Sequence, residues 1–339
     1  MDIGILAPPW VPVPPPAYGG IEQVVALQAE GLSARGHRVT LAAAPGSRVD
    51  SARLVAPLDE EPETIGASYD EWLHVVSALE ELRDCEVVID HCGFLGALLA
   101  GTGPAPAFHV VHGPLTPETI AFHRAIAERA PRLRLIAISE AQRRAAPDLP
   151  FAGVCHNALS LEGLPFRDEP GDYLAFLGRM TPDKGAVAAI GIARAAGLPL
   201  RMAAKCREPA ERAYFADHVE PLLGDDVDWL GEVGGADKYE LLAGARALIF
   251  PIDWEEPFGL VMIEAMACGT PVVATPRGAV PEVVEDGLTG FIHPDHDGLV
   301  EALGRLGDID RSRCRAHVEE RFSVARMTDD YERVILAAT

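Results

Sequence analysis

The sequence predicts an α/β protein of two consecutive domains, each a parallel sheet with helices on both faces. Three observations predict it. At 339 residues the chain is long enough for two domains that each bury a core. Short apolar runs alternate with helical-period stretches throughout, the signature of strand–helix–strand units. That series runs once through the first half, is broken by Gly, Pro and charge over Leu159–Pro170, and then restarts.

The elements follow in order. Strands are expected at 2–7, 38–44, 86–90, 107–112, 134–138 and 151–155. Between the first two, Ile21, Val24, Val25, Gln28 and Leu32 are spaced as one helix face, which ends at Gly36. The second series has strands at 172–178, 199–205, 227–231, 246–251 and 270–275, with helices at 184–197 and 236–245. A last helix is expected at about 323–338. The expected boundaries are 1–160, 161–322 and a terminal helix in 323–339. There is no internal repeat or low-complexity segment.

Charge and cysteine usage exclude several function classes. A net charge of −22 argues against nucleic-acid binding, which needs basic patches to neutralise phosphate. It argues equally against strong association with anionic membrane, which uses Lys/Arg clusters. The six cysteines are dispersed without a C-x-x-C pair and read as free thiols in a reducing compartment. The N-terminus is too short and acidic for a signal peptide, and no apolar stretch approaches the roughly 20 residues of a membrane span. A cytoplasmic protein is expected.

In open parallel sheets, ligands bind outside the carboxyl ends of the strands. That rule selects four loops: the Pro-rich segment ending Tyr18-Gly19-Gly20, His112-Gly113-Pro114, Gly178-Arg179 through Lys184-Gly185, and Asp253-Trp254-Glu255-Glu256. Gly19 and Gly20 open a helix, which suits close backbone approach to a ligand or a plain turn. Arg179 and Lys184 form a cation pair able to neutralise a diphosphate, the first as a fork and the second as a point charge. A solvated surface loop is the alternative. His112 ends an apolar strand, as a satisfied core histidine also would, and His91, His109 and His156 have similar positions.

The most informative segment is Glu256-Pro257-Phe258-Gly259-Leu260-Val261-Met262-Ile263-Glu264. Glu264 lies inside an apolar run, where a carboxylate without partners costs several kcal/mol. Pro257 suits the first position of a helix, which leaves the N–H groups of Phe258, Gly259 and Leu260 to face an anion. A phosphate-binding helix start with two carboxylates suits a molecule that carries both phosphate and sugar.

Two other chemistries fit less well. Eight helical steps would put Glu256 and Glu264 about 12 Å apart. Glycosidase acid/base pairs stand about 5–5.5 Å or about 6.5–9.5 Å apart. D-x-D occurs at Asp226–Asp228, Asp295–Asp297 and Asp308–Asp310, but in polar stretches away from the selected loops, and no H-E-x-x-H is present. No metal site is expected.

Tyr18-Gly-Gly-Ile-Glu-Gln-Val-Val, Arg35-Gly-His-Arg-Val-Thr-Leu, Gly178-Arg-Met, Lys184-Gly, Glu256 through Ala274, and Gly278-Ala-Val-Pro-Glu-Val-Val-Glu-Asp-Gly-Leu-Thr-Gly-Phe together resemble glycosyltransferase family 4. The resemblance covers both halves and departs at Pro257, where the family usually has Gly. It implies a GT-B fold, two Rossmann-like domains with parallel sheets facing each other across a cleft. The first domain would be the acceptor side and the second the nucleotide-sugar side, with the last helix crossing back to the first.

The resemblance also implies roles. The enzyme would move a sugar from a nucleotide diphosphate donor to an acceptor, with retention, without metal and without a cofactor. Arg179 and Lys184 would bind the diphosphate and stabilise the leaving charge. Gly20 and Gly19 would offer N–H to the distal phosphate. Glu256, with the N–H groups of Phe258, Gly259 and Leu260, would hold the transferred sugar, and Glu264 the ribose hydroxyls. His112 would contact the sugar near the reacting centre, and the base would pack near Gly231–Val233. The acidic chain suits a soluble acceptor, a small natural product or a saccharide. The competing readings are a nucleotide-sugar epimerase of the same architecture and an inactive nucleotide-sugar-binding protein.

Overall fold

A computed structural model describes every residue except Tyr18, Glu63 and Thr339. The Tyr18 of the glycine motif therefore lies outside the described residues. Two compact units are present, one made of 1–160 with 324–339 and the other of 161–323.

The first unit runs β1 (Asp2–Leu6), α1 (Gly20–Ala34), β2 (Arg38–Ala42), β3 (Arg53–Val55), α2 (Ser68–Glu81), β4 (Val87–Asp90), α3 (Phe94–Thr102), β5 (Ala107–Val111), α4 (Pro117–Arg129), β6 (Leu133–Ala137), α5 (Glu140–Ala145) and β7 (Phe151–Val154). Among the described residues its sheet has seven strands in the order β3-β2-β1-β4-β5-β6-β7. Every pair is parallel. β4 and β5 are buried along their whole length, as expected of strands covered on both faces.

The second unit runs β8 (Leu174–Arg179), α6 (Ala186–Ala196), β9 (Leu200–Lys205), α7 (Pro209–Tyr214), β10 (Val227–Trp229), α8 (Gly235–Ala243), β11 (Ala247–Phe250), α9 (Leu260–Ala267), β12 (Val272–Ala274), α10 (Val280–Val283), β13 (Gly290–Ile292), α11 (His296–Leu303) and α12 (Arg311–Arg321). Its sheet is β10-β9-β8-β11-β12-β13, again parallel in every pair.

The final helix, α13 (Val324–Ala338), belongs to the first unit. Met327, Tyr331, Val334 and Ile335 are buried at helical spacing, so one apolar stripe docks it. The Gly31 position of α1 faces Thr328, and the Gly153 position of β7 faces Val334. Arg35 pairs with Asp329, and His37 Nε2 lies 2.9 Å from Glu332 Oε1.

In both sheets the strand order reverses beside the first strand, between β1 and β4 and between β8 and β11. The loops leaving two such strands part in opposite directions and open a crevice at their carboxyl ends. The glycine loop leaves β1, the Arg179–Lys184 segment leaves β8, and the Glu256 loop leaves β11.

Candidate active site

In the second unit, Arg179 is the last residue of β8 and Lys184 ends a short 3-10 turn over Pro182–Lys184. Lys184 Nζ stands 2.6 Å from Glu256 Oε2. The Trp254 indole Nε1–H donates to the same oxygen at 3.0 Å, and Lys184 Nζ lies 4.2 Å from the Trp254 ring centroid. The ammonium is thus held by a carboxylate and an aromatic face together. Burial pushes the Lys184 pKa down, the nearby Arg179 adds to that, and Glu256 opposes it, with a net lowering. Arg179 Cζ is 6.0 Å from the Trp254 centroid, and the guanidinium has no ion-pair partner among the described residues. The structure therefore brings Arg179, Lys184 and Glu256 to one place, around a tryptophan.

The Glu256 loop differs from expectation. Pro257 does not start the helix. α9 begins at Leu260, and its N-cap is Gly259 in the left-handed region at φ 84°. That left-handed backbone is what demands glycine, and it postpones the helix. The Met262 N–H already bonds the Gly259 carbonyl at 3.0 Å, which leaves Leu260 and Val261 as the outermost helical N–H groups. The buried Phe258 ring packs edge-on against Phe322, their centroids 5.7 Å apart. Glu256 and Glu264 therefore do not share one helix, and the eight-step helical distance does not apply.

Glu264 sits in the second turn of α9, and its Oε1 lies 2.5 Å from Lys238 Nζ on α8. Burial alone would lower the Lys238 pKa, but Glu264 and Tyr239 outweigh it and raise it. The carboxylate in the apolar run thus has a cation partner, which meets its desolvation cost. Val233 lies half-buried in the loop between β10 and α8. Beside it, Arg207 grips Glu232 with two hydrogen bonds of 2.7 Å.

Trp254 and Lys238 were missed as site residues. Trp254 stands in a loop already selected by the strand-end rule. Lys238 is a cation just beyond the loop expected to hold the base, in a chain of strong negative charge.

In the first unit, Gly20 opens α1 and Gly19 is its N-cap. A Cβ at Gly19 would lie 2.6 Å from Pro15 Cβ, so the loop is folded tightly on the helix start. His112 follows β5, half-buried. Its Nε2 is 2.8 Å from His91 Nδ1, and the two rings meet edge to edge, with centroids 5.1 Å apart and planes inclined by 28°. Burial, reinforced by His109, pushes the His112 pKa down to about 3, so the ring is neutral at pH 7. His109 itself pairs with buried Asp90 at 2.6 Å.

The D-x-D aspartates have structural work. Asp226 pairs with Arg194 at 2.7 Å, Asp295 caps α11 through Gly298 N–H at 2.9 Å, and Asp310 caps α12 through Ser312 N–H at 2.8 Å. No group of three or more His, Cys, Asp or Glu side chains among the described residues could hold a metal ion. None of the described helices is long and apolar enough to cross a membrane.

Two family models match the chain, Glycosyltransferase Family 4 over residues 18–162 and Glycosyl transferases group 1 over residues 171–308. Among curated proteins, alpha-maltose-1-phosphate synthase of Mycobacterium tuberculosis is 30% identical over 184 residues, 47% of each chain. D-inositol 3-phosphate glycosyltransferase of Saccharomonospora viridis is 37% identical over 119 residues, 33% of this chain and 27% of that one. The alignment thus spans about half the length of the first of these relatives, 47%, and less of the second. Among solved structures, AviGT4, a glycosyltransferase involved in avilamycin A biosynthesis, is 26% identical with a TM-score of 0.76, covering 100% of this chain and 99% of that one. HepE of Anabaena, solved in complex with UDP-glucose, has the same fold at 19% identity, with a TM-score of 0.77 over 99% of this chain and 100% of that one.

Proposed function

We propose that this chain, which belongs to glycosyltransferase family 4 and has the GT-B fold, moves a sugar from a nucleotide diphosphate donor to a small natural-product or saccharide acceptor, with retention and without a metal ion. The observation that carries the reading is the convergence of Arg179, Lys184 and Glu256 on Trp254 at the strand-order reversal of the second sheet.

The chemistry follows from charge. Breaking the bond between the anomeric carbon and the phosphate oxygen puts negative charge on the departing diphosphate. Arg179, without a carboxylate partner among the described residues, offers a planar fork to it. Lys184 keeps one N–H on Glu256 and turns the others to phosphate. Fixed cations aimed at developing charge are worth most in a partly buried site. Glu256 Oε1 remains to accept hydrogen bonds from hydroxyls of the transferred sugar. Glu264, held in place by Lys238, accepts from the ribose hydroxyls, and Val233 lies against the base. For the first unit taken by itself, the roles proposed are N–H donation to a phosphate by Gly19 and Gly20 and a contact of His112 with a sugar hydroxyl. No side chain is placed as a nucleophile in this scheme. The acceptor hydroxyl attacks on the face the phosphate leaves, and its proton passes to the departing phosphate oxygen.

The acceptor class draws support from AviGT4, whose named role is in the biosynthesis of a natural product. The high negative charge supports an acceptor outside anionic lipid. The test is a panel of nucleoside diphosphate sugars, incubated with chelator and mixed saccharide and natural-product acceptors, read by mass spectrometry. A hexose-sized mass gain on an acceptor, with the anomeric configuration kept by NMR, supports the proposal. A donor isomer or free sugar without acceptor product supports an epimerase, and no turnover with tight donor binding supports a binding protein.

A further inference from the structure

The site in the first unit includes two residues to which no role has been given. Gln28 lies on α1, the helix opened by Gly20. His91 follows β4, and His112 follows β5. Gln28 Oε1 is 2.8 Å from His91 Nε2, and His91 Nδ1 is 2.8 Å from His112 Nε2. Gln28 and His91 are almost wholly buried, at 0% and 2% exposure. Burial, with the neighbouring His112 and His109, holds the His91 pKa well below its ordinary range, so this ring is neutral as well.

A ring nitrogen facing another ring nitrogen at 2.8 Å must share a single proton between them. A neutral imidazole has one N–H and one bare nitrogen. Those two rules fix every proton in the row once its buried end is fixed. Gln28 Oε1 only accepts, so His91 Nε2 carries its proton. His91 Nδ1 is then bare and accepts. His112 Nε2 must donate to it, which leaves His112 Nδ1 bare.

We infer that His91, backed by Gln28, is a positioning residue that fixes the His112 imidazole as the Nε2–H tautomer and so leaves its Nδ1 lone pair free to accept from a sugar hydroxyl. The sugar contact rests on the glycosyltransferase reading given above, whereas the proton order does not. The selectivity follows from chemistry. A bare Nδ1 accepts from a sugar hydroxyl, finds no donor in a C–H at that place and is repelled by an ether oxygen. The Gln28 amide Nε2 is buried with no partner among the described residues. Turning that amide over would reverse the whole row and make His112 Nδ1–H a hydrogen-bond donor. The two orders are therefore distinguishable states of the same side chains.

The experiment uses the full chain labelled with 15N at histidine. Long-range proton–nitrogen spectra at pH 7 should show neutral His112 with the proton on Nε2 and bare Nδ1. A proton on Nδ1, or a charged ring, overturns the inference without any need for turnover. Kinetics then test the consequence with the donor sugar found active in the panel. His91→Gln keeps an acceptor oxygen toward His112 and should hold kcat/KM within about threefold. His91→Phe removes the acceptor and should lower kcat/KM about tenfold or more, the scale of leaving one buried hydrogen-bond donor unpaired. It should also let the His112 proton distribute between both nitrogens. Equal losses in both variants with an unchanged His112 tautomer assign His91 to packing alone and overturn the inference. A wild-type chain that transfers no sugar would instead sink the function while leaving the spectroscopic result standing.

Discussion

Lys184 and Glu256 come from loops leaving two adjacent strands, β8 and β11, and meet at 2.6 Å beneath the Trp254 ring. A lysine already oriented and partly desolvated needs less reorganisation when charge develops nearby. Lys184→Ala should lower kcat about 10²–10³-fold, the scale of losing one preorganised group that stabilises the transition state. The drop should fall on kcat more than on the donor KM. Steady-state kinetics check this, and an unchanged kcat contradicts it.

Glu264, held by Lys238, leads to a separate expectation, because the proposed mechanism gives it the ribose and not the phosphate. Glu264→Gln should weaken nucleoside diphosphate binding about tenfold, as loss of a charged hydrogen-bond acceptor does. The same variant should lose most of the preference for ribose over 2′-deoxyribose nucleotide. Calorimetric titration of both nucleotides measures the ratio. A preference retained at wild-type strength removes Glu264 from the ribose site.

Gly278 holds the Glu256 loop from behind. It adopts φ 56°, and a Cβ there would stand 2.2 Å from the Glu256 carbonyl oxygen and 2.3 Å from its nitrogen. The next residue, Ala279, donates its N–H to that carbonyl at 2.8 Å. Gly278→Ala should therefore displace Glu256, lower Tm by several degrees and abolish donor binding. Differential scanning calorimetry with and without nucleotide reads both effects, and a variant that melts and binds like the parent contradicts this packing.

The strand–helix pattern made most of the fold legible, because parallel strands buried on both faces are written as continuous apolar runs. β3 and β13 escaped for a physical reason. Both are edge strands; β3 has two exposed residues of three and so no apolar run, and β13 begins with a glycine. The α9 start was misplaced because Pro257 carries a helix-start signal in sequence, while the left-handed Gly259 decides the turn in space. The strand-end rule selected the loops that carry Arg179, Lys184 and Glu256. It had no means of finding the Lys238 partner on another helix, or of separating His91 from His109. Those distinctions are made by pairing across the fold.

Buried neutral histidines set the acid limit of stability. His74 is fully buried, its Nε2–H donates to the Ala7 carbonyl at 2.9 Å, and burial lowers its pKa to about 4. Between pH 6.5 and about 4 the unfolded chain binds this proton and the folded chain does not. Stability is therefore fully present above pH 6.5 and falls as pH drops through that window. The slope is at most about 1.4 kcal/mol per pH unit for each such group. Urea midpoints between pH 7.5 and 4.5 should fall less steeply for His74→Gln than for the parent. Parallel slopes in the two proteins contradict this assignment.

One surface bears on membrane contact. α2 exposes Tyr69, Trp72, Leu73 and Val76 along one side. The same helix carries Asp70, Glu71, Glu80 and Glu81 and no Lys or Arg. Helices that lie on anionic membranes carry basic residues on the polar face. Co-sedimentation with anionic vesicles at low salt should leave the protein in the supernatant, and strong recovery in the pellet contradicts the expectation of no strong membrane association.

In the proposed mechanism two side chains, and not a metal ion, neutralise the donor diphosphate. Calorimetric titration of nucleoside diphosphates in the presence of chelator tests it most directly, comparing the parent chain with the Arg179→Ala, Lys184→Ala double variant. The expected result is binding by the parent with chelator present, and at least a hundredfold weaker binding by the double variant. Binding that requires added magnesium, or that survives loss of both cations, contradicts it.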